Sequence, residues 1–279
     1  MKIKVKKVVY CSKIIIIDFV VRDSPLPKSG LKAQRLFNMA KKDFFLIVDT
    51  ETTMSDMVAD FGAVVCDRNG KVYTSCSVLI HGIYNDRKNH ELFHDKKLVD
   101  SSLWAKNNLE SRYTKYDGML ESGRRMVATN VAINRWLDKV KEKYNPYLTA
   151  YNLAFDAGKC ENTDIDLAQF TKRFCLWYAA FDKYATTKRY RQFILDHHLF
   201  KNPTKLGNMS YITNAEVMTR YVTNQPFLED EPHTAIEDVL GYELPILVDI
   251  VKKSKKERWL NPRPFDWRKL QVKDWFIPK

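Results

Sequence analysis

The chain has 279 residues, of which 45% are apolar and 29% charged, and its net charge at neutral pH is +12. These values are typical of one large globular domain with appendages and ample length for a core. The five cysteines are odd in number and lack CxxC spacing, which excludes a disulfide framework or a cysteine-based zinc site.

Residues 1–42 are a basic extension with 11 Lys and Arg against 2 acidic residues, and residues 14–21 within it are predicted to form a β-strand. The basic start before this apolar run is superficially similar to a signal peptide. However, Asp18 interrupts the run, no small-residue cleavage site follows it, and it is far too short to span a membrane. We therefore expect a non-membrane protein of the cytoplasm.

Three consecutive strands are predicted after Asp43. FFLIVD is a continuous apolar run that ends in an acid, as expected for a strand buried on both faces. VADFGAVVC and KVYTSCSVLI are also typical of strands, and Asn69-Gly70 between them is a strong hairpin signal. We predict that these strands are antiparallel.

The next segments change from irregular to periodic. Residues 81–128 are polar and irregular, which indicates loops with short helices. Apolar residues then recur at helical spacing over residues 131–144, so we predict an amphipathic helix that begins at Thr129 or Asn130. Pro146 ends this region, and YLTAYN after it is predicted to be a strand.

The remaining elements are predicted to be helices. They cover residues 184–195 and 214–222, and a later helix is expected to break at Gly241 and restart near Pro245. The predicted fold class is α/β, with a mixed β-sheet of three antiparallel strands plus parallel strands, flanked by helices, and with extra N- and C-terminal segments.

Two clusters of polar residues follow predicted strands. Asp49 and Glu51 lie two residues apart on an extended segment, so their carboxylates point to the same side and repel each other unless a divalent cation intervenes. In the second cluster, Asp156 follows the next predicted strand, and Asn152 can hydrogen-bond the loop that presents it. Phe155 is either a core residue, which we favour for an aromatic beside a strand end, or a platform beneath a base. A lone D-x-E pair is common and identifies no function by itself.

A third cluster, HTAIED, combines His233 with Asp238. The same H-x4-D spacing occurs twice in the polar region 81–100, where it lacks periodic context and is regarded as accidental. Residues 234–237 have the capping-box pattern, which predicts Thr234 as N-cap and Glu237 as a capping residue and not a ligand. His233 then lies just outside the helix on a mobile approach, while Asp238 lies inside the first turns. Both side chains can face one site, with Asp238 as a fixed ligand and His233 free to act as a base.

In this order, FLIVDTETT with ADFGAVV, LTAYNLAFD and HTAIEDV resemble the three motifs of the DEDDh-type 3′-5′ exonucleases of the DnaQ-like, RNase H-like superfamily. The resemblance implies that residues 43–251 are an exonuclease domain with an RNase H-like fold. It implies hydrolysis of single-stranded nucleic acid to nucleoside 5′-monophosphates by a two-metal-ion mechanism, with His233 as the general base. It also implies that Thr52 lies against the 3′-terminal nucleotide, and Thr52, Asn152 and Phe155 are the candidate substrate contacts. The implied cofactors are two divalent cations, Mg²⁺ or Mn²⁺, and the implied metal ligands are Asp49, Glu51, Asp156 and Asp238.

Residues 252–279 form a basic aromatic C-terminal tail with 10 Lys and Arg against 3 acidic residues, whereas residues 43–251 hold 25 against 29. An acidic site between basic ends favours a polyanionic partner over a role in solubility alone. The tail is either a single-strand binding surface or a segment whose rings anchor it to the core. We favour anchoring, because several tryptophans rarely stay exposed together.

We expect the partners to be single-stranded DNA or RNA 3′ ends, with DNA favoured. The choice between DNA and RNA depends on contacts to the 2′-hydroxyl, which are set by the geometry of loops. An alternative function is a proofreading or nucleic-acid-binding module within a polymerase or repair complex. A catalytically inert interaction protein is a further alternative, but all five catalytic positions are filled. No docking motif predicts a protein partner or an oligomeric state. The layout resembles that of phage-encoded exonucleases more than cellular ones, which would place the protein in the host cytoplasm.

Overall fold

A computed structural model describes residues 42–93, 112–201 and 208–273. The chain divides between Lys42 and Asp43, and the residues from Asp43 onward belong to one unit. The strand predicted at residues 14–21 lies outside the described residues.

A five-stranded mixed sheet lies at the centre of the described fold. Its three longest strands are consecutive and antiparallel, as predicted. The hairpin between the second and third turns at Gly70, whose φ of 82° is a left-handed conformation that glycine adopts without strain. A short parallel strand flanks this group on each side, in the order β4-β3-β2-β1-β5. The strands are β1 (Phe44–Thr52), β2 (Val58–Asp67), β3 (Val72–Ile80), β4 (Met126–Ala128) and β5 (Tyr147–Thr149).

Helices flank this sheet, which makes the fold mixed α/β. The amphipathic helix begins as predicted, because the Thr129 side chain accepts a hydrogen bond from the Ala132 backbone N–H at 3.2 Å. The described helices are α1 (Arg112–Glu121), α2 (Asn130–Tyr144), α3 (Leu153–Asn162), α4 (Leu176–Ala180), α5 (Lys188–Asp196), α6 (Ala215–Thr223), α7 (Ala235–Asp238), α8 (Leu244–Lys253) and α9 (Lys256–Leu260). A small antiparallel sheet joins β6 (Phe200–Lys201), β7 (Asn208–Tyr211) and β8 (Gln271–Lys273).

β1 is buried on both faces, as its continuous apolar run predicts. Leu46 and Val48 pack into one core cluster, whereas Phe45 and Ile47 pack into a second cluster. Because side chains alternate along a strand, Asp49 continues the face of Phe45 and Ile47. Side chains of α7 and α8 belong to this second cluster, so Asp49 leaves the strand on the side where these helices pack.

Gly62 lets α7 approach the sheet at backbone contact. It lies on β2 directly opposite Asp49. A Cβ atom at this position would lie 2.4 Å from both the Ala235 carbonyl carbon and the Ile236 nitrogen. Only glycine leaves room for a helix backbone at this distance. The start of α7 is therefore held next to the acidic end of β1.

A buried ion-pair cluster holds α7 in the same place. Asp60 of β2 accepts the Ala235 N–H at 3.0 Å and an Arg125 guanidinium N–H at 3.3 Å. Arg125 also pairs with Glu237. Asp60 and Arg125 thus hold the first turn of α7 against the sheet at Ala235 and Glu237.

The regular α-helix restarts at Leu244, next to Pro245 as predicted, but the expected break of the helical backbone at Gly241 is wrong. A π-helical turn, Val239–Glu243, connects α7 to α8 without interruption. Pro245 lies in the first turn of α8, directly after the π turn, and has no N–H to donate to that turn. The π turn contains Gly241, the residue at which the sequence suggested a break, and the helical backbone continues through it.

The described part of the C-terminal segment, up to residue 273, is anchored to the core by aromatic rings, as we favoured. Trp259 is buried, with its ring centroid 5.6 Å from that of Phe45. Phe265 packs against the same cluster, whereas Trp267 is 55% exposed. Within the described ranges, every helix is too short or too polar to cross a membrane.

Candidate active site

The four predicted carboxylates converge at one end of the sheet. Asp49 and Glu51 lie at the end of β1, Asp156 lies in the first turn of α3, and Asp238 ends α7. Burial raises the pKa of Asp49 well above its usual range, and the charges of Glu243, Asp156, Glu51 and Asp238 raise it further. The structure therefore brings all four together, although Asp156 is more than 80 residues from both Glu51 and Asp238 in the sequence.

Glu51, His233 and Asp238 are close enough to share one ion. One ligand atom from each lies within 4.8 Å of the other two. Asp238 Oδ2 accepts the Thr234 N–H at 2.9 Å, but no group in the described part of the chain donates to its buried Oδ1. Burial first, and then Glu51, raise the pKa of Asp238 to about 9. A buried acceptor without a donor fits a cation, since carboxylate oxygens bind hard divalent metals.

Asp156 is oriented by β1 itself. Its Oδ1 accepts a hydrogen bond from the Thr50 hydroxyl at 2.9 Å. Burial raises the pKa of Asp156 even though this hydrogen bond opposes the shift. The carboxylate is thus fixed beside the strand that carries Asp49 and Glu51.

Glu243 is a fifth carboxylate of the site, and our sequence analysis missed it. It is 3% exposed; one oxygen accepts the Tyr151 N–H at 3.1 Å, and the other has no donor among the described residues. Burial raises the pKa of Glu243 well above its usual range, and the charge of Asp156 adds to this. On a regular α-helix Glu243 would point about 140° away from Asp238, five residues earlier. The π turn aligns residues i and i+5, so both face the site.

Two cations from α1 face the acidic cluster. Arg112 opposes the rise that burial and Asp60 cause in the pKa of Glu51, which reaches about 8. Lys115 lies close enough to Asp238 to oppose the rise in its pKa, and its Nζ donates to the Pro232 carbonyl at 2.8 Å. The sequence of residues 81–128 predicted loops with short helices, and neither cation was singled out. The spacing of three residues between the two cations, on one helix face, is the signal that could have found them.

His233 lies outside α7, as predicted, but the capping box does not form. Thr234 is the N-cap residue of α7, as predicted, but its side chain makes no capping hydrogen bond. Glu237 pairs with Arg125 instead of the Thr234 N–H, which Asp238 takes. The conclusion that Asp238 and not Glu237 faces the site is correct, but the reason for it was wrong. The tertiary ion pair with Arg125 holds the Glu237 carboxylate instead.

The three candidate substrate contacts differ in exposure. Thr52 is only 6% exposed, whereas Asn152 is exposed and its side chain does not cap α3. Phe155 is 42% exposed, so the favoured reading of a core residue was wrong. Leu153 is buried instead. The Lys159 Nζ lies 4.8 Å from the centroid of the Phe155 ring, which leaves an aromatic and a cation together at the surface of α3.

Taken chemically, the site is a buried excess of negative charge with two nearby cations on α1, an arrangement suited to hard divalent ions. No family model, curated protein or solved structure matches the chain. The function is therefore inferred from the geometry and chemistry of these side chains.

Proposed function

We propose that the protein is a metal-dependent 3′-5′ exonuclease of the DEDDh type, with an RNase H-like fold. One observation carries the proposal: Asp49, Glu51, Asp156 and Asp238 come from three distant segments and converge beside His233. Three antiparallel strands with a parallel strand beside the first support the fold. All five residues belong to the motifs that carry the resemblance.

The four carboxylates would hold two divalent cations, Mg²⁺ or Mn²⁺. Asp238 Oδ1, which is buried without a donor in the described chain, supports this role. When bound, such ions supply Lewis-acid activation of water and stabilise charge on the leaving oxygen. The raised carboxyl pKa values mean that ion binding releases protons, because the ligands must be ionised to bind.

His233 would act as the general base. Its imidazole takes a proton from the attacking water, whose oxygen forms a new bond to the terminal phosphorus. The bond from phosphorus to the 3′-oxygen of the preceding nucleotide breaks, and this oxygen takes up a proton from the solvent. A nucleoside 5′-monophosphate leaves, and the shortened strand keeps a 3′-hydroxyl. Removal of the imidazole should slow this step strongly and leave ion binding largely intact.

Single-stranded DNA ends are the proposed substrate, with RNA as the competing one. The exposed ring of Phe155 offers a stacking platform beside Asp156. The excess of basic residues at the two ends of the chain favours a polyanion. We propose a cytoplasmic site of action, which in the case of a phage protein is the host cytoplasm.

The test compares His233→Ala with His81→Ala, since His81 belongs to an accidental H-x4-D pair and is exposed. Both variants and the wild type are assayed on 3′- and 5′-labelled single- and double-stranded DNA and RNA, with Mg²⁺, Mn²⁺ or EDTA. The proposal expects mononucleotide release by wild type and His81→Ala and a loss of about 10²–10⁴-fold in His233→Ala. Activity that survives EDTA, or equal activity in both variants, would contradict it.

A further inference from the structure

The backbone at His233 is held in a sparsely populated conformation. Its φ is 51°, in the left-handed region, which is uncommon for a side chain of this size. Such a conformation is strained and persists only where neighbouring contacts fix it. The two peptide groups on either side of His233 determine its φ and ψ, so contacts to these groups set where the imidazole points.

The peptide group after His233 is fixed from within α7. The Thr234 N–H donates to Asp238 Oδ2 at 2.9 Å. The next N–H, that of Ala235, donates to the buried Asp60 at 3.0 Å. This side is therefore tied to residues of the core.

The peptide group before His233 is fixed from a different part of the chain. Lys115 of α1 donates from its Nζ to the Pro232 carbonyl oxygen at 2.8 Å, across 117 residues of sequence. A hydrogen bond from an ammonium group is about twice as strong as one between neutral groups. Lys115 is partly buried, so water competes weakly for this bond. Burial and the charge of Arg112 lower the pKa of Lys115, whereas the charges of Asp238, Glu237 and Glu51 oppose this shift.

We propose that Lys115 is a positioning residue that sets the conformation of His233 by holding the Pro232–His233 peptide group. This inference rests on the proposed function and assigns helix α1 a part in the site. Asp238 and Lys115 then clamp the two sides of His233, one from α7 and one from α1. The loss of Lys115 would release one side and let the backbone conformation of His233 change.

The first test separates binding from chemistry. Lys115→Met removes the donor, Lys115→Arg keeps a cationic donor, and Lys139→Met removes an exposed lysine of α2 as a matched control. We expect Lys115→Met to lower kcat about tenfold or more with a KM within about twofold of wild type, because a misplaced base slows the chemical step. Lys115→Arg should recover most of this loss, and Lys139→Met should match wild type. Wild-type kcat in Lys115→Met would overturn the proposal, as would a loss confined to KM.

The second test does not require activity. The imidazole Cε1–H resonance of His233, assigned by its disappearance in His233→Ala, is recorded for each folded Lys115 variant without metal. We expect a shifted or broadened resonance in Lys115→Met and a wild-type resonance in Lys139→Met. An unchanged resonance in Lys115→Met would overturn the proposal. A wild type without nuclease activity would contradict the proposed function, yet the resonance would still report whether Lys115 positions His233.

Discussion

Gly62→Ala is the substitution that most directly perturbs the geometry of the site without touching a carboxylate. The new Cβ would lie 2.4 Å from backbone atoms of Ala235 and Ile236, whereas ordinary van der Waals contact begins at 3.4 Å. The difference between these values is 1.0 Å, so α7 has to retreat by about that distance. Both partners are backbone atoms, and no change of rotamer can relieve the contact.

This displacement acts on stability and on chemistry. Overpacking of this kind costs about 1–3 kcal/mol of unfolding free energy. α7 carries Asp238 and follows His233 directly, so both would move away from Asp49 and Glu51. A misplacement of about 1 Å can reduce a rate about 10²-fold. We expect the loss of kcat to exceed what the loss of stability accounts for.

The assay combines urea denaturation with release of labelled mononucleotides at a temperature where both proteins are folded. Gly118→Ala on α1 is the matched control, because no atom lies within 4 Å of the Cβ that it would gain. The control should be as stable as wild type or more stable by up to about 1 kcal/mol, since alanine is favoured in helices. Wild-type kcat in a folded Gly62→Ala would show that α7 does not need this close approach.

Three further predictions follow from the buried charges. The folded-state pKa of Asp238 is raised to about 9, so the metal-free protein should lose stability as the pH rises from about 4 to about 9. In urea titrations in EDTA, Asp238→Asn should gain about 1.4 kcal/mol of unfolding free energy per pH unit relative to wild type in that window. Parallel curves for the two proteins would refute this. Glu243→Gln keeps an acceptor for Tyr151 but removes a charge, so calorimetry should find Mn²⁺ bound about 10–100-fold more weakly, whereas unchanged affinity would exclude Glu243 from the ion site. Arg125→Met leaves Asp60 buried without its partner and should cost about 3–5 kcal/mol in urea denaturation; a loss below about 1 kcal/mol would contradict a structural role for the pair.

The parts of the fold that the sequence predicts are those with strong local signals. The apolar run at residues 44–48 and the Asn69-Gly70 turn specify the antiparallel strands, and Thr129 specifies the start of α2. β4 was not predicted, because it is a three-residue edge strand in a polar region and depends on pairing with β3. Such a strand has no periodicity of its own.

The site is predicted where a motif determines it and missed where tertiary contacts do. Asp49, Asp156 and Asp238 converge as expected, because strand ends and a helix start bring them together. Glu243 could not be predicted, since a π turn changes which residues share a helix face. The capping box at Thr234 was wrong because local preference yields to a buried arginine. Lys115 is invisible locally, as its partner is a carbonyl 117 residues away.

The central claim is that the converged carboxylates bind divalent ions to remove nucleotides from a 3′ end. The most direct measurement is a time course with a 5′-labelled single DNA strand and purified wild type or Asp49→Asn in Mn²⁺. We predict a ladder that shortens one nucleotide at a time from the 3′ end with wild type and stops when EDTA is added. Asp49→Asn should leave the strand intact. Internal cuts, activity in EDTA, or an active Asp49→Asn would contradict the claim.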